Sequence, residues 1–258
     1  MSKFAKLVEE VKLEHATDTL DEGIGSVARN ALLGAGLALG SMQSANALTD
    51  VNALYNNPQS EIIAKYEHGG QGYAAIVKDN YGGYSYGNEQ LSTRRNPENK
   101  PNSTFDKFLE YLKDKSINSY NKLNKAGGWD AAFKGTEKFK TAWKELAGDE
   151  EFRNIYDNFI TDTQIIPVYK RMDQATSTNL DKVTTWGSRN EAIKAAIRSI
   201  IIQHGREGAF NLIKKVVRLT HPKNEEDFLK NLYIARSNKF PAYKTRYTNE
   251  YNDLKDLV

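Results

Sequence analysis

Glu67, Asp79 and Ser85 are the residues of this chain whose types and spacing suit hydrolytic chemistry. Breaking a glycosidic bond needs a carboxylic acid to protonate the leaving oxygen. It also needs a second group to activate water or to hold the sugar cation. Glu67 follows Ile62, Ile63 and Tyr66, an apolar-periodic segment that reads as the last turns of a helix, and Gly69-Gly70 end it. An acid where an apolar helix meets a cleft is in a setting that favours its protonated form. Beyond it, Asp79-Asn80, Gly82-Gly83 and the alternation Tyr84-Ser85-Tyr86 predict short strands joined by tight turns. The hairpin then carries a second carboxylate, Asp79, and a hydroxyl, Ser85, able to help it orient water. Each has a bland counterpart: a solvated helix-end Glu, a turn Asp, a strand Ser facing solvent.

Tyr73, Tyr81, Tyr84 and Tyr86 surround this stretch in the sequence. Flat amphipathic rings suit sugar faces, and they suit the packing of a small hairpin on helices equally well. Gln90 is placed either to hydrogen-bond substrate or to stitch the hairpin. His204, in Gln203-His204-Gly205, ends an Ile-rich helical segment, where the helix dipole favours a protonated imidazole.

The run from Glu67 through Asp79-Asn80-Tyr81-Gly82-Gly83-Tyr84-Ser85-Tyr86-Gly87 resembles the active-site segment of the phage-type lysozymes. That family carries Glu at a helix end, then Asp and Thr or Ser on a following hairpin. The Gly-Gly-x-Ser-Tyr-Gly core with Gln90-Leu91 and the later Gln203-His204-Gly205 also resembles lysozyme-like domains related to the chitosanases. The likeness spans about 61–251 and is densest in the opening motif. It implies Glu67 as general acid, Asp79 with Ser85 holding the attacking water, and inversion at the anomeric carbon. It also implies that His204 lies near the cleft as a substrate contact, while Tyr81, Tyr84 and Gln90 are candidate contacts on their own side-chain chemistry.

The elements that must hold these residues are mainly helices. Thr104 reads as the N-cap of a helix over 105–115. Helical spacing continues over 133–147 and 150–172, with Pro167 bending or interrupting the latter. Ile193, Ala196, Ile197, Ile200 and Ile201 make 189–204 a core helix, resumed after Gly208 over 209–219. Segments 225–237 and 243–257 follow. The expected fold is α+β, mostly α: a lysozyme-like domain over 48–258, with a small β-hairpin region beside the catalytic helix.

Residues 1–47 form an accessory segment: an amphipathic helix over 1–22, then the charge-free run 31–40 ahead of Ala45-Asn46-Ala47. The run resembles a signal-peptide core, yet residues 1–30 hold more acids than bases, the wrong flank for one. Cleavage before Leu48, membrane contact, packing in a particle and a simple buried helix all stay open.

At 258 residues the chain can bury a substantial core. Its net charge of +3 suits an anionic wall or membrane face and is too slight to argue nucleic-acid binding. Without Cys there are no disulfides and no thiolate chemistry. His15, His68, His204 and His221 lack metal-ligand spacing, and neither a phosphate loop nor a nucleophile elbow occurs, so no cofactor or metal is expected.

The reading that gathers most of these observations is a peptidoglycan hydrolase cleaving β-1,4 glycosidic bonds. It would be phage-derived, virion-borne or exported, and would act in the periplasm or cell wall. A chitosanase-like hydrolase and a lytic transglycosylase, which could work with Glu67 alone, are the enzymatic alternatives. A catalytically inert virion protein of the same fold is the alternative from another class.

Overall fold

The computed structural model describes residues 66, 72–80, 82–95, 101–175, 178, 180 and 184–258. Glu67, Tyr81 and residues 1–47 lie outside the described residues, and of the helix expected before Glu67 only Tyr66 is described, as helical. The chain forms two compact units. One comprises Ser60–Pro167 with Ile201–Arg206; the other holds Val168–Ile200 and Glu207–Val258. The architecture is α+β and mostly helical, with one small antiparallel sheet among the described residues.

In the sheet-bearing unit, β1 (Ile76–Lys78), β2 (Tyr84–Tyr86) and β3 (Leu91–Ser92) pair in chain order. Val77 faces Ser85 across the first pair, and Ser85 faces Ser92 across the second. The β1–β2 connection closes on itself, Asp79 N donating to the Gly83 carbonyl and Gly82 N to the Asp79 carbonyl, both at 3.1 Å. Gly87 and Gln90 turn the chain into β3, at φ 79° and 53°. A side chain at Gly87 would put its Cβ 2.5 Å from the Tyr156 hydroxyl oxygen, so glycine is needed for space as well as for φ.

The helices that seat this sheet are α1 (Thr104–Lys115), α2 (Ile117–Lys125), α3 (Gly128–Lys134), α4 (Glu137–Ala147) and α5 (Glu150–Ile160). Ser103, one residue before the expected Thr104, is the N-cap of α1. Its hydroxyl accepts from Asp106 N, and the Asp106 carboxylate accepts from Ser103 N, a capping box. The segment read as one helix over 133–147 is two, because Gly135 adopts φ 62° and Thr136 caps α4. After α5 a π-helical turn, Thr161–Ile165, precedes α6 (Ile166–Gln174). The interruption expected at Pro167 therefore falls earlier. Pro167, early in α6, has no N–H to offer the Thr163 carbonyl four residues back, and that carbonyl accepts from Arg206 Nη1 at 3.3 Å instead.

Tyr86 lies at the centre of this unit's core, fully buried, with ring centroids 5.1 Å from Phe105, 5.4 Å from Phe139 and 5.1 Å from Trp143. Phe108, Phe152, Tyr156 and Phe159 extend the cluster. Such pairs contribute about 0.5–1.5 kcal/mol each beyond burial, so the sheet is held by its middle strand.

The other unit contains a 3-10 turn, Trp186–Ser188, most of α7 (Glu191–Thr220), α8 (Glu225–Lys239) and α9 (Lys244–Leu254). Its core joins Trp186, Ile193, Ile197 and Ile200 with Phe228, Leu232 and Tyr247, all with essentially no exposure. Within that core Arg236 pairs with Glu250 at 3.1 Å and donates to the Ser199 hydroxyl, also at 3.1 Å. The end expected for the Ile-rich helix at His204 coincides with Gly205, whose φ of 70° and ψ of 172° interrupt α7, but helix resumes at once rather than after Gly208. Gly208 is helical, because an interior helical glycine needs no unusual φ, whereas Gly205 occupies a region open essentially to glycine alone.

Candidate active site

The tight turn after β1 fixes the backbone of Asp79, and β2 delivers Ser85 to its side chain. The Ser85 hydroxyl lies 3.1 Å from Oδ1 and 3.0 Å from Oδ2 of Asp79. Ser85 is buried while Asp79 is half-buried, so the hydroxyl is inside and the carboxylate keeps a solvent-facing side. Ser92, at the end of β3, adds a third oxygen, its Oγ 3.4 Å from Asp79 Oδ2. A carboxylate with a fixed plane and an open edge can accept a proton from water held against it.

Tyr84 lies one residue from Ser85, on the opposite face of its strand. Its ring packs on Gly135, at the end of α3, with Lys140 Nζ 5.1 Å from the ring centroid. Tyr86, for which the sequence leaves sugar contact and hairpin packing both open, is a core residue. Its hydroxyl donates to the Ala132 carbonyl at 2.8 Å, and burial followed by the neighbouring Tyr84 pushes its pKa up. Tyr73 is committed elsewhere as well, donating to Asp157 Oδ2 at 2.6 Å while its carbonyl accepts from Trp143 Nε1 at 2.9 Å. Gln90 holds the β2–β3 turn through its backbone N, which donates to the Gly87 carbonyl at 3.2 Å. His204 is half-buried and directly precedes the Gly205 interruption.

Two arrangements escaped the sequence reading. Arg95 binds both oxygens of Asp106 and lies 3.5 Å above the ring of Trp129, whose Nε1 donates to the Thr93 carbonyl at 2.9 Å. This ties the segment after β3 to the start of α1. The second is the phenol of Tyr156, which accepts from Glu89 N at 3.0 Å. Burial, then the nearby Glu89 and Asp157 carboxylates, push the Tyr156 pKa well up and keep it protonated. An open depression of about 630 Å³, lined by Tyr111, Asn154 and Asn158 among others, shares no residue with the Asp79 group. Among the described residues, no three His, Asp or Glu side chains cluster as metal ligands, and no helix is long and apolar enough to cross a membrane.

Residues 60–255 match the family model described as type VI secretion system spike protein VgrG3-like, C-terminal. Curated protein sequences give no match. A solved chitosanase complex has 13% identity and a TM-score of 0.50, covering 76% of this chain and 88% of its own. A native chitosanase from Bacillus subtilis MY002 has 21% identity, a TM-score of 0.49, and coverage of 81% and 88%. A Gynuella sunshinyii GH46 chitosanase with chitotetraose has 16% identity, a TM-score of 0.48, and coverage of 84% and 88%. At 0.50 the first shows a shared fold, the lysozyme-like α+β architecture.

Proposed function

Because this chain belongs to the VgrG3-like C-terminal family of type VI secretion spike proteins, we propose that it is a cell-wall glycoside hydrolase carried by a secretion spike. Its substrate is the peptidoglycan glycan strand, cleaved at the β-1,4 bond between N-acetylmuramic acid and N-acetylglucosamine. Glu67 gives its proton to the leaving oxygen as the C–O bond breaks. A water molecule loses a proton to Asp79, and its oxygen pair forms the new bond at the anomeric carbon from the opposite face, giving inversion. Ser85 holds the Asp79 carboxylate; Tyr81, Tyr84, Gln90 and His204 contact the glycan. The catalytic domain is 48–258, and residues 1–47 serve location.

The observation that carries this reading is the Ser85 hydroxyl within 3.1 Å of both Asp79 oxygens. A solvated turn Asp has no need of a buried hydroxyl dedicated to its carboxylate. The resemblance to phage-type lysozymes supports the same three roles. A second reading, hydrolysis of a glucosamine polymer, draws on the chitosanases that share the fold.

Product analysis on purified peptidoglycan and on chitosan tests the proposal. New reducing ends from peptidoglycan, lost in Glu67→Gln and Asp79→Asn, are the expected result. Anhydro ends with an active Asp79→Asn would replace hydrolysis by a lytic transglycosylase. Reducing ends from chitosan alone would move the substrate, and none from either glycan would leave an inert structural domain.

A further inference from the structure

The carboxylate of Asp79 is reached from two strands. Ser85 and Ser92 are register partners on β2 and β3. Directly paired residues on adjacent antiparallel strands project from the same face with Cβ atoms about 4.5–5.5 Å apart. Their hydroxyls converge on one carboxylate: Ser85 lies 3.1 and 3.0 Å from its two oxygens, and Ser92 lies 3.4 Å from Oδ2.

Ser92 is also the better anchored of the two residues it links. Its backbone N donates to Thr104 Oγ1 at 2.8 Å, and the Thr104 hydroxyl lies 3.4 Å from its carbonyl. Thr104 opens α1, whose cap is locked by Asp106 and Arg95. Asp79, by contrast, begins a turn containing two glycines at positive φ. Arg94 N donates to Ser92 Oγ at 3.2 Å, occupying a hydroxyl lone pair and leaving its proton for Asp79.

We propose that Ser92 is a positioning residue for Asp79, passing the rigidity of α1 to the carboxylate and selecting the oxygen that receives the water proton. The inference rests on Asp79 being the base of the proposed reaction. Oδ2 receives both hydroxyls, whereas Oδ1 shares only that of Ser85. Oδ1 therefore keeps the lone pair that takes up the proton as the water oxygen bonds to the sugar. Ser92 touches neither water nor glycan in this scheme, so its loss acts on turnover and leaves glycan affinity unchanged.

The experiment compares Ser92→Ala, Ser92→Cys, Ser92→Thr, Ser85→Ala, the Ser85→Ala/Ser92→Ala pair and Asp79→Asn in the full chain, on whichever glycan the wild type cleaves. Ser92→Ala is expected to lower kcat about 5- to 20-fold, a small share of the factor of 10² or more expected of the acid–base group itself, with KM within twofold. Ser92→Cys, similar in shape but a weak donor, should follow Ser92→Ala, and Ser92→Thr should recover most of the loss. The double variant should fall below either single one, towards Asp79→Asn. Thermal unfolding of each separates stability from turnover. Wild-type kcat in Ser92→Ala, a change confined to KM, or a loss that Ser92→Thr fails to restore would each overturn the assignment. A fully active Asp79→Asn would remove the underlying reading itself. An inactive Asp79→Asn beside an unimpaired Ser92→Ala would remove only the role of Ser92.

Discussion

Arg95 holds Asp106 with two nitrogens, Nη2 at 2.6 Å from Oδ1 and Nε at 3.0 Å from Oδ2. The same carboxylate closes the α1 capping box through Ser103. Burial works against its charge, but hydrogen bonds from Arg95 and Ser103 outweigh this and hold the Asp106 carboxyl below its ordinary value. A depressed folded pKa adds stability above the unfolded value, about 3.9, and that stability is lost as pH falls through the folded pKa. Asp106→Asn should therefore cost about 2–4 kcal/mol at pH 7, as for one partner removed from a largely buried pair. The gap to wild type should narrow below about pH 4. Urea unfolding at pH 7, 4 and 3 measures this; a gap independent of pH would remove the linkage.

Gly135 ends α3 at φ 62°, and a Cβ there would overlap the edge of the Tyr84 ring. Gly135→Ala thus combines a left-handed alanine, about 1 kcal/mol, with a steric conflict of about 1–3 kcal/mol. The two parts separate by a cycle. Tyr84→Ala in the Gly135→Ala background should recover the steric share, so the pair should be less destabilised than the sum of the single changes. Additive losses in chemical denaturation would show that the ring does not oppose the Cβ.

How far the sequence spoke depended on whether a residue's partner was local. Asp79, the glycine turn and Ser85 stand a few residues apart, and their hairpin was legible. Ser92 was not legible as a partner of Asp79, since its own partners Ser85 and Thr104 are defined by strand register and by a helix cap. Ser103 and Thr104 are both competent caps, and the Asp three residues beyond Ser103 was the signal that separates them. Tyr86 belonged to an aromatic run that composition alone could not divide between sugar and core; Phe105, Phe139 and Trp143 claim it through contacts remote in sequence. The helix end at Gly205 was legible, but its resumption through Gly208 was not, because two glycines three residues apart differ only in backbone angles that no side-chain pattern reports.

Glu250 and Arg236 are both without exposure, and Arg236 also lies 4.3 Å from the Tyr247 ring centroid. Burial opposes the Arg236 charge, but Glu250 outweighs it and raises its pKa further. Glu250→Gln leaves a buried guanidinium without its counter-charge and should cost about 3–5 kcal/mol. Replacing both residues, as Arg236→Met/Glu250→Leu, should cost less than Glu250→Gln alone, because the fully buried Arg236 charge goes with its partner and only the part-exposed Arg246, 3.7 Å from Glu250, loses one. Denaturant midpoints of the two variants decide it, and a double variant weaker than Glu250→Gln would show the pair to be a net source of stability.

Gly205 allows the backbone cost to be measured without a steric one. Its φ of 70° and ψ of 172° are open essentially to glycine, yet a Cβ there would meet nothing within 4 Å. Gly205→Ala should lose about 1–3 kcal/mol, all of it from the chain's conformation. The neighbouring Arg206 Nη1 lies 3.3 Å from the Thr163 carbonyl in the π-helical turn, a contact that Arg206→Gln should weaken without straining the backbone. If His204 contacts the glycan, Gly205→Ala should raise KM beyond the effect of any unfolded fraction, since relaxing φ rotates the residues before it. Arg206→Gln should leave KM near wild type. Gly205→Ala with unchanged stability would mean that the interruption relaxes at no cost. Lost stability with an unchanged KM would detach His204 from glycan binding.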